Sequence, residues 1–278
     1  MMHPSARTLL RTTPLIMLAL LTVWATAPAA EAAPTPQVVY DEFMYLPFVA
    51  RGIMACDPIP GVSYGSVTPQ WPPTDRPAEF HGDINLALRS YSPTSNYLGL
   101  IDVGGDTDIG APQLHGLFNP VRLPTFVAVS QVHHWIWQDP PAPGYRGPPI
   151  TDPPVTLLWM QTAYAEPIHV PNRVGGIIAG GTNYKVLVLY ASTQRITLVY
   201  TSQDTIAWGY ALHIENVCVE PSLLALYNSL NAAGRRPLPA LEPGQPLGRA
   251  LSTYVGVVIR DTGAMMHPRV RKDWWKDY

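Results

Sequence analysis

The chain has 278 residues, of which 14% are charged and 31 are proline, and its formal net charge is −2. That balance leaves no electrostatic case for a nucleic-acid partner. Proline at this density excludes a bundle of long helices and suits short strands joined by turns. The expected fold is therefore mainly β, an antiparallel sandwich or open barrel carrying one amphipathic helix over about 221–233.

Residues 1–32 read as a secretory signal. Arg7 and Arg11 form a basic start, Leu15–Trp24 an apolar core, and Ala30-Glu31-Ala32 a small-x-small cleavage site. The apolar run is too short to span a bilayer, which takes about 20 residues, and no later run is long enough. The expectation is a secreted or envelope-associated protein with no transmembrane segment after cleavage. Residues 33–62 then form a spacer in which Phe43–Val49 is expected to dock as an edge strand. A first β-rich half follows over 63–154, and a second over 155–278.

Cys56 and Cys218 are the only cysteines. In an exported chain an even pair suggests a disulfide. A loop of roughly 160 residues closed in this way would gain about 5 kcal/mol in the chain-entropy model. Two unrelated buried thiols are the alternative.

After the Trp71–Arg76 loop (WPPTDR), His81, Asp83 and Asn85 alternate with Ile84 and Leu86. As a strand these polar residues share one face. They form either a metal or hydrogen-bonding site, or a face that pins neighbouring loops. Asp102, Asp106 and Asp108 stand on a glycine-rich turn, where alternating oxygens could serve Ca²⁺. The spacing lacks the distal bidentate Glu of an EF-hand loop, so a solvated turn is the other reading. His133, Trp135 and Trp137 alternate along a strand, where paired indoles either stack on sugar rings or enter the core. The proline-rich residues 138–154 read as a linker or long loop between the halves.

Val155–Met160 opens the second half. Lys185–Ala191 and Arg195–Thr201 are two β-branched and aromatic runs around Ser192-Thr193-Gln194, a hairpin pattern. Tyr210–Val219 follows as one strand with His213 and Glu215 on the face away from Leu212 and Ile214. Pro221 suits a first helical turn, Leu223, Leu226, Tyr227 and Leu230 recur at helical spacing, and Gly234 suits the stop. The turn at Gly244-Gln245 precedes the strand Tyr254–Asp261. The tail Arg269–Trp275 mixes cations and indoles, fit either to touch anionic lipid or wall polymer or to pack back on the domain. No phosphate loop and no HExxH zinc helix is present.

The segments GYALHIENVCVEPSLLALYNSLNAAGR, LPALEPGQPLGRA and VGVVIRDTGAMMHPRVRKDWW, with HGDINLALRSY earlier, resemble a module of uncharacterised secreted bacterial proteins. The order Glu166-Pro-Ile-His169-Val-Pro, Gly175-Gly176, Leu224-Ala-Leu-Tyr227, Pro243-Gly-Gln245-Pro-Leu-Gly248, then a strand ending Ile259-Arg260, is similar to lysostaphin-type zinc peptidases. That similarity implies a duplicated-hybrid-motif-like β core with a Gly-Gln turn before the metal-binding strand. Those enzymes hold zinc with an early His and Asp and a late His. Here Tyr254-Val255-Gly256 stands at the late position, Asp152 has no matching His, and His169 comes too late. A zinc site needs about three protein ligands and an open position. The resemblance therefore implies a degenerate, non-catalytic module that binds cell-wall glycan, surface polysaccharide or an envelope protein. The alternative is a metal-dependent hydrolase with a rearranged site drawn from His81, Asp83, His213 and Glu215, using zinc.

Overall fold

A computed structural model describes residues 54–70, 75–139 and 142–278. The signal segment and Phe43–Val49 lie outside the described residues. In chain order, the strands are β1 (Gly65–Val67), β2 (Tyr91–Thr94), β3 (Phe126–Ile136), β4 (Tyr145–Pro149) and β5 (Leu157–Gln161). Then follow β6 (Pro167–His169), β7 (Val186–Ala191), β8 (Arg195–Val199), β9 (Tyr210–Glu215) and β10 (Val217–Val219). The last are β11 (Leu238–Leu241), β12 (Pro246–Ala250), β13 (Tyr254–Asp261) and β14 (Ala264–Met265). Helices α1 (Leu86–Arg89), α2 (Pro221–Ala232) and α3 (Arg271–Trp274), with 3-10 turns at Ala78–Phe80 and Leu114–Leu117, complete the set. The fold is mainly β and antiparallel, as composition implied, with an open sheet rather than a closed barrel.

The large sheet runs β1-β11-β7-β8-β9-β13-β5-β3-β2, with β14 on β13 and β4 on β3; β10-β12-β6 form a second, smaller sheet. Strands from before residue 154 sit at both edges of the large sheet, so that point does not divide it. The proline-rich stretch is no linker either: β4 lies within it and pairs with β3, His133 opposite Pro149 and Ile136 opposite Tyr145. At the edge of a sheet a proline's missing N–H costs no ladder bond.

The central strands β7, β8, β9 and β13 are buried at nearly every position because both faces are covered. Val186 and Val188 face one core with Leu212, Ile214, Val257, Ile259, the α2 residues Leu223 and Tyr227, and Trp274 and Trp275. Leu187, Leu189, Val199 and Ala211 face the other, where they meet Ala78, Ile84 and Ile206. Leu86 packs with Val132, Leu157 and Val258 further along that second face. The segment 78–89 is therefore laid across the sheet, opposite the helix and tail.

Two strand expectations are corrected. Residues 81–89 form no strand: the chain turns at 81–84 and enters α1, with the Asn85 side chain accepting from the Ala87 N–H at 3.1 Å. Asparagine at that position supplies the cap a helix start needs. Tyr210–Val219 is two strands in two sheets, broken at Asn216 with φ 62°. Asn is among the few residues that enter the left-handed region readily.

Helix α2 starts as expected. Glu220 caps it by accepting from the N–H groups of Ser222 at 2.8 Å and Leu223 at 3.0 Å, Pro221 occupies the first turn, and Gly234 follows at φ 95°. Cys56 and Cys218 are bridged, their Cα atoms 5.4 Å apart, so the bond ties the start of the described chain to β10. The tail packs back: Trp274 and Trp275 are buried, and their ring N–H groups donate to the carbonyls of His267 and Pro268. Among the described residues no helix is long and apolar enough to cross a membrane.

Candidate functional site

Because the 78–89 segment crosses the second face of the sheet, its polar residues meet those of β8, β9 and β13. Thr197, His213, Glu215 and Arg260 all point to that face, alternating with core residues. The Thr197 hydroxyl donates to the Ile84 carbonyl at 2.7 Å. Its oxygen is left to accept from Nδ1 of His213, 2.9 Å away. Nε2 of His213 is thereby the unprotonated nitrogen, and it is buried with no hydrogen-bond partner among the described residues. Burial, then the charges of Arg260 and Arg89, hold this imidazole well below its ordinary pKa.

Asp83 sits between two guanidinium groups. It accepts from Arg89 and, at 2.8 Å, from Nη1 of Arg260. Burial pushes its carboxyl up, and the two arginines more than reverse that, leaving it below the usual range. Arg260, itself buried, is lowered to about 10. Arg89 also donates to the carbonyls of Gly82 at 2.7 Å and His133 at 3.2 Å. One side chain thus fixes the turn at 82–83 against strand β3.

Above this layer lies a cleft of about 490 Å³ lined by Asp75, Arg76, His81, Asp83, Trp137 and Thr262 among others. The Arg76 guanidinium lies 4.6 Å from the centre of the Trp137 ring and donates to Asp75 through Nε at 3.0 Å. His81 meets the same indole edge-on at 4.9 Å, and its Nε2 is 4.0 Å from Asp75 Oδ1. Trp137 remains 40% exposed. Its neighbour Trp135 stands at 6.2 Å in a T arrangement. The two indoles do different things. Trp135 packs over Gly82, whose absent Cβ would fall 2.4 Å from the ring, and donates to the Pro143 carbonyl at 3.0 Å. Only Trp137 lines the cleft.

The other sequence candidates are placed as follows. His133 is held away from the cleft: its Nδ1 is 2.9 Å from the Gly147 carbonyl and its Nε2 is 2.7 Å from the Ser92 hydroxyl. A carbonyl only accepts, so Nδ1 carries the proton and Nε2 accepts from Ser92. Glu215 is paired with Arg195 at 3.0 and 3.1 Å, and burial raises its pKa despite that partner. Asp102, Asp106 and Asp108 do not converge. Asp102 pairs with Arg271 at 2.8 Å, Asp108 Oδ1 caps its own turn at the Gly110 N–H, and the carbonyl of Asp106 accepts from Lys272. The tail thus holds that turn by an ion pair and by a bond to its backbone. Among the described residues no three His, Cys, Asp or Glu side chains are grouped to hold a metal. Asp83 and Glu215 already have arginine partners, so His81, Asp83, His213 and Glu215 do not present a ligand set. Gly256 lies against Trp159, where a Cβ would meet the ring at 2.8 Å.

Asp75, Arg76 and Thr262 are site residues that the sequence pattern did not single out. For the first two the only signal is the adjacent charged pair Asp75-Arg76. The spacing Gly61-Val62-Ser63-Tyr64-Gly65 matches a serine elbow. Here, however, it leads into β1 instead of joining a strand to a helix, and no histidine lines the adjoining cavity. Comparison with protein-family models, with curated proteins and with solved structures finds no match to this chain.

Proposed function

We propose that the chain is an exported, non-catalytic module that binds a cell-wall glycan or surface polysaccharide at the Trp137 cleft. One observation carries this reading: a partly exposed indole shares one concavity with the planar polar groups of Asp75, Arg76 and His81. Sugar rings present C–H faces that stack on an indole and paired hydroxyls that carboxylate, guanidinium and imidazole groups bind in their planes. A cleft of about 490 Å³ is in the range that encloses a ligand of one or two sugar units. The rigid layer beneath supports the reading too. With Asp83 locked between Arg89 and Arg260, the cleft floor needs no reorganisation on binding. The Cys56–Cys218 bridge agrees with an oxidising compartment.

The test is retention of the purified protein on insoluble cell-wall polysaccharide. Loss of one aromatic stack is worth about 1 kcal/mol, so Trp137→Ala is expected to weaken retention several-fold with the melting temperature nearly unchanged. Retention that survives Trp137→Ala removes the cleft as the binding site. Stoichiometric zinc in the purified protein, with a melting temperature that falls on chelation, would replace this reading by the hydrolytic one.

A further inference from the structure

A second cavity, sharing no lining residue with the Trp137 cleft, encloses about 350 Å³. Three stretches of chain and Val121 build it, the stretches being residues 108–116, the loop at 172–174, and residues 276–277. They are held together by hydrogen bonds through Gln113. Its N–H donates to the Asn172 carbonyl at 2.9 Å, its side-chain amide to the Asp273 carbonyl at 2.8 Å, and its Oε1 accepts from the Lys276 N–H at 3.0 Å.

Arg173 is the feature that the fold leaves unexplained. Its guanidinium rests on an aromatic floor, 5.1 Å from the centre of the Tyr210 ring and 6.0 Å from that of Tyr200. Tyr200 is buried and fixed by donating to the Pro171 carbonyl at 2.7 Å, so the floor is rigid. Nε of Arg173 is nevertheless buried without an acceptor, and the side chain enters no ion pair among the described residues. Among the buried arginines, Arg76, Arg89, Arg235 and Arg260 each have a carboxylate; Arg249 and Arg269 also keep buried donors without an acceptor among the described residues, but neither lines this cavity. A guanidinium with unused donors facing a cavity is set for a planar anion, which it grips with two parallel N–H bonds.

The rest of the lining narrows the class. Lys276 adds a second cation, and Asp108 and Asp277 add two carboxylates, so the cavity is balanced in charge and offers no net attraction to a dianion such as phosphate. Arg173 Nη2 and Asp108 Oδ1 stand side by side over Gly110, each 3.2 Å from where its Cβ would lie, without bonding to one another. Neighbouring positive and negative groups of this kind match the adjacent carboxylate and ammonium of an α-amino acid. Ile109, Val121 and Val174 are strongly exposed apolar residues on the same wall. They supply the surface that an aliphatic side chain would cover. The volume, near the lower end for small-molecule sites, suits an amino acid or a dipeptide.

We infer that this cavity binds a zwitterionic amino acid or the end of a short peptide bearing an aliphatic side chain, its carboxylate on Arg173. L-Leucine is the probe, titrated into the full purified protein and read by calorimetry and ligand-detected NMR. Saturable binding is expected, with Arg173→Gln weakening it at least tenfold. Arg173→Lys, which keeps the charge but loses the fork, should fall between, and Lys276→Gln should weaken it less. Leucinamide, 4-methylpentanoate and glycine each lack one recognised group and are each expected to bind several-fold more weakly. Melting curves of the variants separate lost binding from lost folding; should Arg173→Gln melt early, the Lys variant and the three analogues decide. The inference is overturned if leucine does not bind at millimolar concentration, if folded Arg173→Gln binds it undiminished, or if inorganic phosphate binds more tightly than leucine.

Discussion

The layer beneath the Trp137 cleft makes a quantitative prediction through Asp83→Asn. Among the described residues Asp83 is the only carboxylate bonded to both Arg89 and Arg260, whose side chains are 8% and 6% exposed. The amide keeps the shape but removes the charge, leaving two guanidinium groups facing one another with no counter-ion. Removing one partner of a buried pair costs about 3–5 kcal/mol. Two orphaned cations here, against an Asp83 side chain that is 20% exposed, place the expected loss near the middle of that range. For a domain of this size each kcal/mol moves the melting temperature by about 2–4 °C, so a loss of about 4 kcal/mol corresponds to a fall of roughly 8–16 °C. The sign in pH follows from the lowered carboxyl. Its contribution is fully present above the unfolded pKa near 3.8 and is lost as pH falls through the folded value. Urea unfolding of the wild type and Asp83→Asn at pH 7 and at pH 3 checks both statements, because the gap between the two proteins must narrow in acid. Adding Arg260→Met to Asp83→Asn should cost less than the sum of the single changes, since it removes one unpaired charge. A loss below about 1 kcal/mol for Asp83→Asn at pH 7 would refute the claim that this carboxylate holds the layer together.

Four further outcomes follow. Gly82→Ala puts a Cβ 2.4 Å from the Trp135 ring, so the indole must move; overpacking of this kind costs about 1–3 kcal/mol, and tryptophan fluorescence should shift as well. Trp275→Ala, at 0% exposure, is expected to lose about 3–5 kcal/mol by denaturant unfolding, and Trp137→Ala under about 1 kcal/mol. Reduction of the Cys56–Cys218 bridge should lower the melting temperature by an amount corresponding to at most about 5 kcal/mol, and thiol titration of the unreduced protein should find no free cysteine. As pH falls through 6.5, His213 takes up a proton in the unfolded chain and not in the folded one, so stability falls. His213→Gln should flatten that slope by up to about 1.4 kcal/mol per pH unit, measured by unfolding between pH 7 and pH 5.

Local chemistry was legible wherever a short segment dictates its own conformation. The hairpin around Ser192–Gln194, helix α2 with its Pro221 start and Gly234 stop, and the β class of the whole chain all follow from periodicity and turn residues. Asn85 and Asn216 were also on the page, but their meaning was decided by competition. Alternation across 81–86 favours a strand, and a cap at Asn85 favours a helix. Packing of Ile84 and Leu86 onto separate cores settled it for the helix. Asn216 turned one apolar run into two strands because each half found a partner in a different sheet.

Sequence by itself determined composition-level facts: strands over helices, the cysteine pair, and which residues carry rings and charge. Tertiary structure alone decided which of these meet. Asp75 and Trp137 are 62 positions apart, and Asp83 and Arg260 are separated by 177. No local rule links them, because contact between distant segments depends on which faces of the sheet remain uncovered once the strands have paired. That is also why His133, Trp135 and Trp137, equivalent by spacing, ended as a pinned hydrogen-bond donor, a packing ring and a cleft wall.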